Sequence, residues 1–157
     1  SPEQVEAVVE EILEANHVLS PALTDAHGDP HSNAAYYAGD LHELVIFTPP
    51  LSVHAVNAAG RPSVAAAVID NSQPWDSDLR GLQILGPMDQ LHGADATGAC
   101  ATHAPRFPGL AVLAKDYSDV ERMLPARFLR LSVLRCKIPA EADFGKQRHV
   151  IATLHRS

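Results

Sequence analysis

His17-Val18-Leu19-Ser20-Pro21-Ala22-Leu23-Thr24, then Asp25-Ala26-His27-Gly28-Asp29, then Pro30-His31-Ser32-Asn33-Ala34-Ala35-Tyr36-Tyr37-Ala38 is the run whose reading decides the fold. Apolar and β-branched stretches on both sides of an Asp/Gly/Asp cluster form the pattern of an antiparallel hairpin. We read a strand over residues 17–24, a turn over 25–29 and a returning strand over 30–38. Pro21 cannot donate to a ladder, which places the first strand at an edge or a bulge. Gly39-Asp40 turns the chain again before the strand 44–48, and Pro49-Pro50 stops it.

The same texture continues downstream. Residues 51–59 read as a short helix ended by Gly60, and 62–70 as an almost continuously apolar strand that predicts burial on both faces. A polar loop over 71–78 leads to a long strand, 79–92, with Gly81 and Gly86 available for bulges. Residues 93–104 and 117–124 predict helices, and 128–138 a last strand. Upstream, Val5, Val8, Val9, Ile12 and Leu13 share one face of a helix opposite Glu6, Glu10 and Glu14, while Ser1, Pro2 and Gln4 form its capping signature. This order lacks βαβ alternation, and no phosphate loop, HExxH or GxSxG motif is present. The expectation is one mainly β, antiparallel domain over 1–157.

Composition narrows the function classes. The chain has 157 residues, 46% of them hydrophobic, enough for one ordinary core where domains run to about 100–200 residues. Its net charge of −7 repels phosphate backbones, so no nucleic-acid partner is expected. No apolar run approaches the roughly 18 residues of a membrane span and no signal segment opens the sequence, so we expect no membrane partner and a cytoplasmic location. Cys100 and Cys136 lack CxxC spacing and read as reduced thiols, and the nine histidines never fall in HxH or HxxxH pairs, so no metal site is expected.

Several blocks, taken together, resemble one family. His17-Val18-Leu19-Ser20 followed by Thr24-Asp25-x-x-Gly28-x-Pro30-His31-Ser32-Asn33-Ala34-Ala35-Tyr36-Tyr37-Ala38 is similar to the opening hairpin of the pyridoxamine 5′-phosphate oxidase-like, FMN-binding split-barrel superfamily. Phe47-Thr48-Pro49-Pro50-x-Ser52-x-His54-x-x-Asn57, Pro62-x-Val64-Ala65, Arg80-Gly81-Leu82-Gln83-Ile84-x-Gly86, Arg106-Phe107-Pro108 and Asp143-Phe144-Gly145 resemble later blocks of its small bacterial members, in the same order. The resemblance implies a six-stranded antiparallel split barrel with short flanking helices. It further implies a homodimer with FMN or a deazaflavin in a groove between the subunits, where a small organic substrate exchanges a hydride with the ring.

By that resemblance Ser32, Asn33 and Ala34 lie along the flavin ring, Phe47 and Thr48 approach the ribityl chain, Ser52 and His54 meet the phosphate, and Gln83 reaches in from the other subunit. The family carries Lys or Arg where this chain has His54, and often a second basic residue where it has Val56; Arg61 is the nearest substitute. Trp75 reads either as a packing anchor or as a lid over a planar ligand, with Arg80 beside it. A flavin-free alternative keeps the groove for another planar ligand such as haem, or for acid–base chemistry with His54 as base, Tyr36 or Tyr37 as acid and Arg80 as anion anchor. Tyr36 and Tyr37 alternate along a strand, so one faces the core and the other the groove.

Overall fold

The computed structural model describes residues 1–48, 53–61, 63–113, 127–146 and 148–154, with backbone alone at 53–55, 111 and 113. Helix α1 (Pro2–Ala15) starts where the sequence signals it, with the Ser1 hydroxyl accepting the Gln4 N–H and Pro2 in the first turn. It has no basic residue in its last turn. Its final carbonyls are gathered instead by Arg106, which donates to Leu13 O at 2.8 Å and also to Asn16 O, and by the Tyr37 hydroxyl, which donates to Leu13 O at 2.9 Å.

Nine strands follow among the described residues: β1 (Val18–Thr24), β2 (Pro30–Ser32), β3 (Ala35–Gly39), β4 (Glu43–Thr48), β5 (Ser63–Ile69), β6 (Gly81–Gln90), β7 (Arg127–Ser132), β8 (Arg135–Pro139) and β9 (His149–Thr153). Between them lie α2 (Val53–Gly60), α3 (Gly93–His103), α4 (Pro108–Leu113) and α5 (Glu141–Phe144). Every pairing is antiparallel. The chain of pairings β1–β3–β4–β7–β6–β5 returns to β1, which closes a six-stranded barrel; β2 extends β1 at one side, and β8 then β9 extend β6 at the other. Closure removes the edges that a six-stranded open sheet would leave exposed.

The decisive hairpin turns as its residues dictate. Asp25 Oδ1 accepts the N–H groups of His27 (2.8 Å) and Asp29 (2.9 Å), and Gly28 supplies the left-handed φ of 88°. The returning strand differs from the expectation in being split at Asn33-Ala34 into β2 and β3, which pair with different stretches of β1. The predicted last strand over 128–138 is likewise two strands, β7 and β8, which pair with different parts of β6. β6 changes partner near Gly86, where a Cβ would overlap the Ser132 carbonyl oxygen, so only glycine lets the two strands cross. The helix expected over 117–124 lies outside the described residues.

Side-chain alternation fills the barrel. Leu19, Leu23, Tyr37, Leu44, Ile46, Val68, Leu82, Met88, Leu129 and Leu131 point inward and are buried with the apolar stripe of α1, Val8, Val9, Ile12 and Leu13. The opposite faces of β3, β4 and β7 carry Ala38, Val45 and Phe128, which pack under α3 through Ala96, Ala99 and Cys100. β5 departs from the expectation: Val64, Ala66 and Val68 are buried but Ala65 and Ile69 are exposed, so the single chain covers one face of this apolar strand only. No helix among the described residues is long and apolar enough to cross a membrane.

Candidate functional site

The registers place three rows of outward side chains on one sheet face, because directly paired residues point the same way. Tyr36 pairs with Val18, and Ile69 is the next residue along that row. Ser20 pairs with Ala67, Ala67 with Gln83, Gln83 with Lys137 and Lys137 with Ile151. Ser32 pairs with Ala22, Ala22 with Ala65, Ala65 with Leu85 and Leu85 with Arg135. The face is broad, and small or apolar side chains dominate it. Tyr36 (61%), Ile69 (54%) and Leu85 (37%) are all exposed on it.

At one margin of this face the chain between β2 and β3 forms a ledge. The Ser20 hydroxyl bridges it, lying 2.9 Å from Ser32 Oγ and donating to the Asn33 carbonyl at 2.8 Å. Ser32 and Ala34 are exposed and Asn33 is half-buried, so the ledge offers backbone and hydroxyl groups beside a methyl-sized side chain. This is a surface a flat ring can approach.

An aromatic wall rises beside the ledge. Tyr36 meets Phe107 edge-on at 5.4 Å, Phe107 lies 4.6 Å from His103, and His103 lies 6.2 Å from Phe47, which packs on Phe128 at 4.9 Å. His17 also faces Phe107, at 6.2 Å. His103 is buried, and its Nδ1 has no hydrogen-bond partner. Burial, reinforced by the nearby Arg106 guanidinium, depresses its pKa to about 4, so the ring is neutral at physiological pH. The sequence reading named Arg106-Phe107-Pro108 as a family block without a role, and it missed His103. The available signal was the helical spacing that puts Ala96, Cys100 and His103 on one buried face of α3.

The other expected site residues divide. Gln83 is exposed at the centre of the sheet face. Phe47 belongs to the aromatic wall, while Thr48 is buried beneath it. Ser52 lies outside the described residues, as does the His54 side chain, whose backbone is in α2. Trp75 is 99% exposed, so it does not close the barrel end as a packing anchor.

Two catalytic expectations are corrected. Tyr37 points into the barrel, fully buried under the Arg106 guanidinium, with its hydroxyl committed to Leu13 O and its pKa pushed by burial up to about 12. Tyr36 is the tyrosine exposed on the outer sheet face. Arg80 is held by Glu11 at 2.6 Å and Asp143 at 3.7 Å, so it ties α1 to α5 rather than presenting a free cation. It lines a polar cleft of 420 Å³ with Asn16, Asp70, Gln73 and Asp78, away from the ledge residues. Arg61, the substitute cation, donates to the Ala26 carbonyl at 3.0 Å and so pins the β1–β2 turn. Val56 is 55% exposed where the family pattern calls for a basic residue. No group of three His, Cys, Asp or Glu side chains that could hold a metal occurs among the described residues.

No family model and no curated protein matches this sequence. Solved structures do resemble the fold. The haem-binding protein of Mycobacterium smegmatis superimposes with a TM-score of 0.75 at 21% identity over 98% of this chain; the chain spans 59% of that protein's length. HutZ, the haem storage protein of Vibrio cholerae, gives 0.67 at 16% identity, covering 82% of this chain and 89% of its own. A protein of the pyridoxinephosphate oxidase family from Clostridium acetobutylicum, related to a general stress protein, gives 0.63 at 12% identity, covering 98% and 95%. At these identities the likeness speaks to architecture. The fold is the split barrel that the sequence resemblance implied, shared by haem-binding proteins and by pyridoxinephosphate-oxidase-type proteins.

Proposed function

We propose that two copies of this chain pair through the exposed face of β1, β5 and β6 and bind a planar prosthetic ring in the groove this creates. The favoured ring is FMN or a deazaflavin, used to exchange a hydride with a small organic substrate. The observation that carries this reading is the Ser20-braced ledge Ser32–Asn33–Ala34, open to solvent in the single chain and continuous with a sheet face of small side chains. An apolar strand exposed on one face, as β5 is, is left to be covered by a partner.

In this assembly the ledge contributes backbone groups and the Ser32 hydroxyl to the ring edge, Tyr36 and Phe107 contribute an apolar wall, and Gln83 arrives from the second copy. A bound flavin supplies the hydride chemistry; the protein supplies position, hydrogen bonds and exclusion of water. The ring end of such a ligand fits the described residues. The phosphate end is left to Ser52 and His54, because Arg61 is committed to the turn and Val56 is apolar.

That apolar Val56 favours a second reading, in which the groove takes haem. Two proteins of this fold are named for binding or storing haem. Haem needs no ribityl phosphate site, and a single histidine would serve as axial ligand. Titrating the protein separately with FMN, followed by quenching of flavin fluorescence, and with haemin, followed by its Soret absorbance, decides between them. Saturable FMN binding at one ring per chain, lost in Ala34→Trp, supports the flavin reading. Haemin binding with no FMN binding replaces it with the second, and binding of neither removes both.

A further inference from the structure

Away from the ledge, an apolar cleft of 330 Å³ runs between α1 and β9. On the helix side it is lined by Pro2, Val5, Glu6 and Val9, one stripe at helical spacing. On the sheet side it is lined by all of residues 150–154. A cleft lying over one face of a strand touches every second residue, because side chains alternate. Cys136 of β8, the partner of Ala152, lines it as well, so the cleft runs from the inner face of the β8–β9 pair out to the edge of β9, where Ile151 and Thr153 join the lining.

That edge is open among the described residues, since β9 pairs with β8 alone. The register shows which groups it presents. Leu154 N–H donates to Leu134 O at 2.9 Å, toward β8, and Pro139, which has no N–H, stands opposite His149. By the alternation of an antiparallel ladder, Ala152 and Val150 also bond to β8, while Ile151 and Thr153 turn their N–H and C=O groups to the open side. The cleft thus combines a row of unpaired backbone groups, an apolar wall of Val5, Val9, Val150 and Ala152, and one carboxylate, Glu6, at the helix.

We propose that this cleft takes an extended peptide strand of a partner protein, which adds to β9 with apolar side chains at alternate positions and a Lys or Arg opposite Glu6. Backbone pairing supplies affinity in this mode, and the alternating pockets supply specificity. The cationic requirement follows from the lining, in which Glu6 is the charged residue. The proposal is independent of the ring ligand, whose ledge lies at the β2 side of the sheet.

The probe is a hexapeptide of sequence KTVTVT, whose Lys and two Val side chains share one strand face, compared with ETVTVT, each labelled with fluorescein at its C-terminus and titrated into the full chain by fluorescence anisotropy and by amide hydrogen exchange. The lysine peptide is expected to bind saturably and, at about ten times its Kd, to slow exchange at Ile151 and Thr153 about tenfold. Ile151→Pro removes an N–H that the fold itself does not use, so the protein stays folded while peptide affinity falls about tenfold for the lost bond. Glu6→Lys is expected to weaken the lysine peptide and strengthen the glutamate peptide by up to about fivefold each. Equal binding by Ile151→Pro, or no preference between the peptides, overturns the proposal. So does slow exchange at Ile151 and Thr153 without peptide, which would mean that a second copy or this chain's own flank already covers the edge.

Discussion

His103 makes stability depend on pH in a defined window. Its ring is buried among Phe47, Phe107 and Phe128, and its pKa is near 4 in the folded protein against 6.5 for an ordinary histidine. Above pH 6.5 the ring is neutral in both folded and unfolded chains and contributes no pH dependence. As pH falls below 6.5 the unfolded chain takes up a proton that the folded chain refuses, so stability declines with acid until the folded ring itself protonates near pH 4. Each pH unit in that window costs about 1.4 kcal/mol, which gives a loss of about 2 kcal/mol between pH 7.5 and 5. Urea unfolding at these two pH values, for the native chain and for His103→Phe, measures it. The phenylalanine ring fills the same aromatic box without titrating, so the variant should lose about 2 kcal/mol less stability on acidification. Asp25 and Asp70, whose carboxyl pKa values are lowered by backbone and Ser72 hydrogen bonds, lose their contributions only at more acid pH. Equal acid losses in both proteins would refute the assignment of a neutral, buried His103.

Three further outcomes follow from particular contacts. Gly86→Ala forces a Cβ onto the Ser132 carbonyl where β6 changes partners, and should cost more than about 3 kcal/mol in urea unfolding. Tyr37→Phe removes the hydroxyl bond to Leu13 O, which Arg106 still serves, so it should cost about 1 kcal/mol and leave ring-ligand affinity unchanged in the same FMN titration. His54→Lys supplies a permanent cation at the proposed phosphate end, so FMN affinity at about pH 8 should rise in the same fluorescence titration.

The hairpin from His17 to Ala38 was legible because its turn chemistry is local: Asp25 and Gly28 can hardly do anything but turn the chain. The capping of α1 was legible for the same reason. The two predicted strands that proved double, 30–38 and 128–138, were not separable in sequence, since neither Asn33-Ala34 nor Val133-Leu134 carries Gly or Pro and the break is set by a change of pairing partner. β9 is short and only half-buried, so its alternation is faint in the sequence. In the candidate site, the strand alternation of Tyr36 and Tyr37 was readable but its phase was not; the Leu13 carbonyl, a long-range partner, fixes it. The aromatic wall joins β3, β4, α3 and β7 with the segments just before β1 and α4, through contacts that no local pattern encodes.

The central claim, a ring site shared between two copies, is tested most directly by subunit complementation. One protein carries Ala34→Trp, blocking the ledge, and the other Gln83→Arg, spoiling the residue delivered from across the interface. Each alone should bind FMN poorly. Mixed in equal amounts and allowed to exchange, half of the dimers are mixed, and one of the two sites in each is intact, so saturable binding should return to about one site in four. No recovery on mixing, with both variants folded, would place the ligand within a single chain and contradict the account.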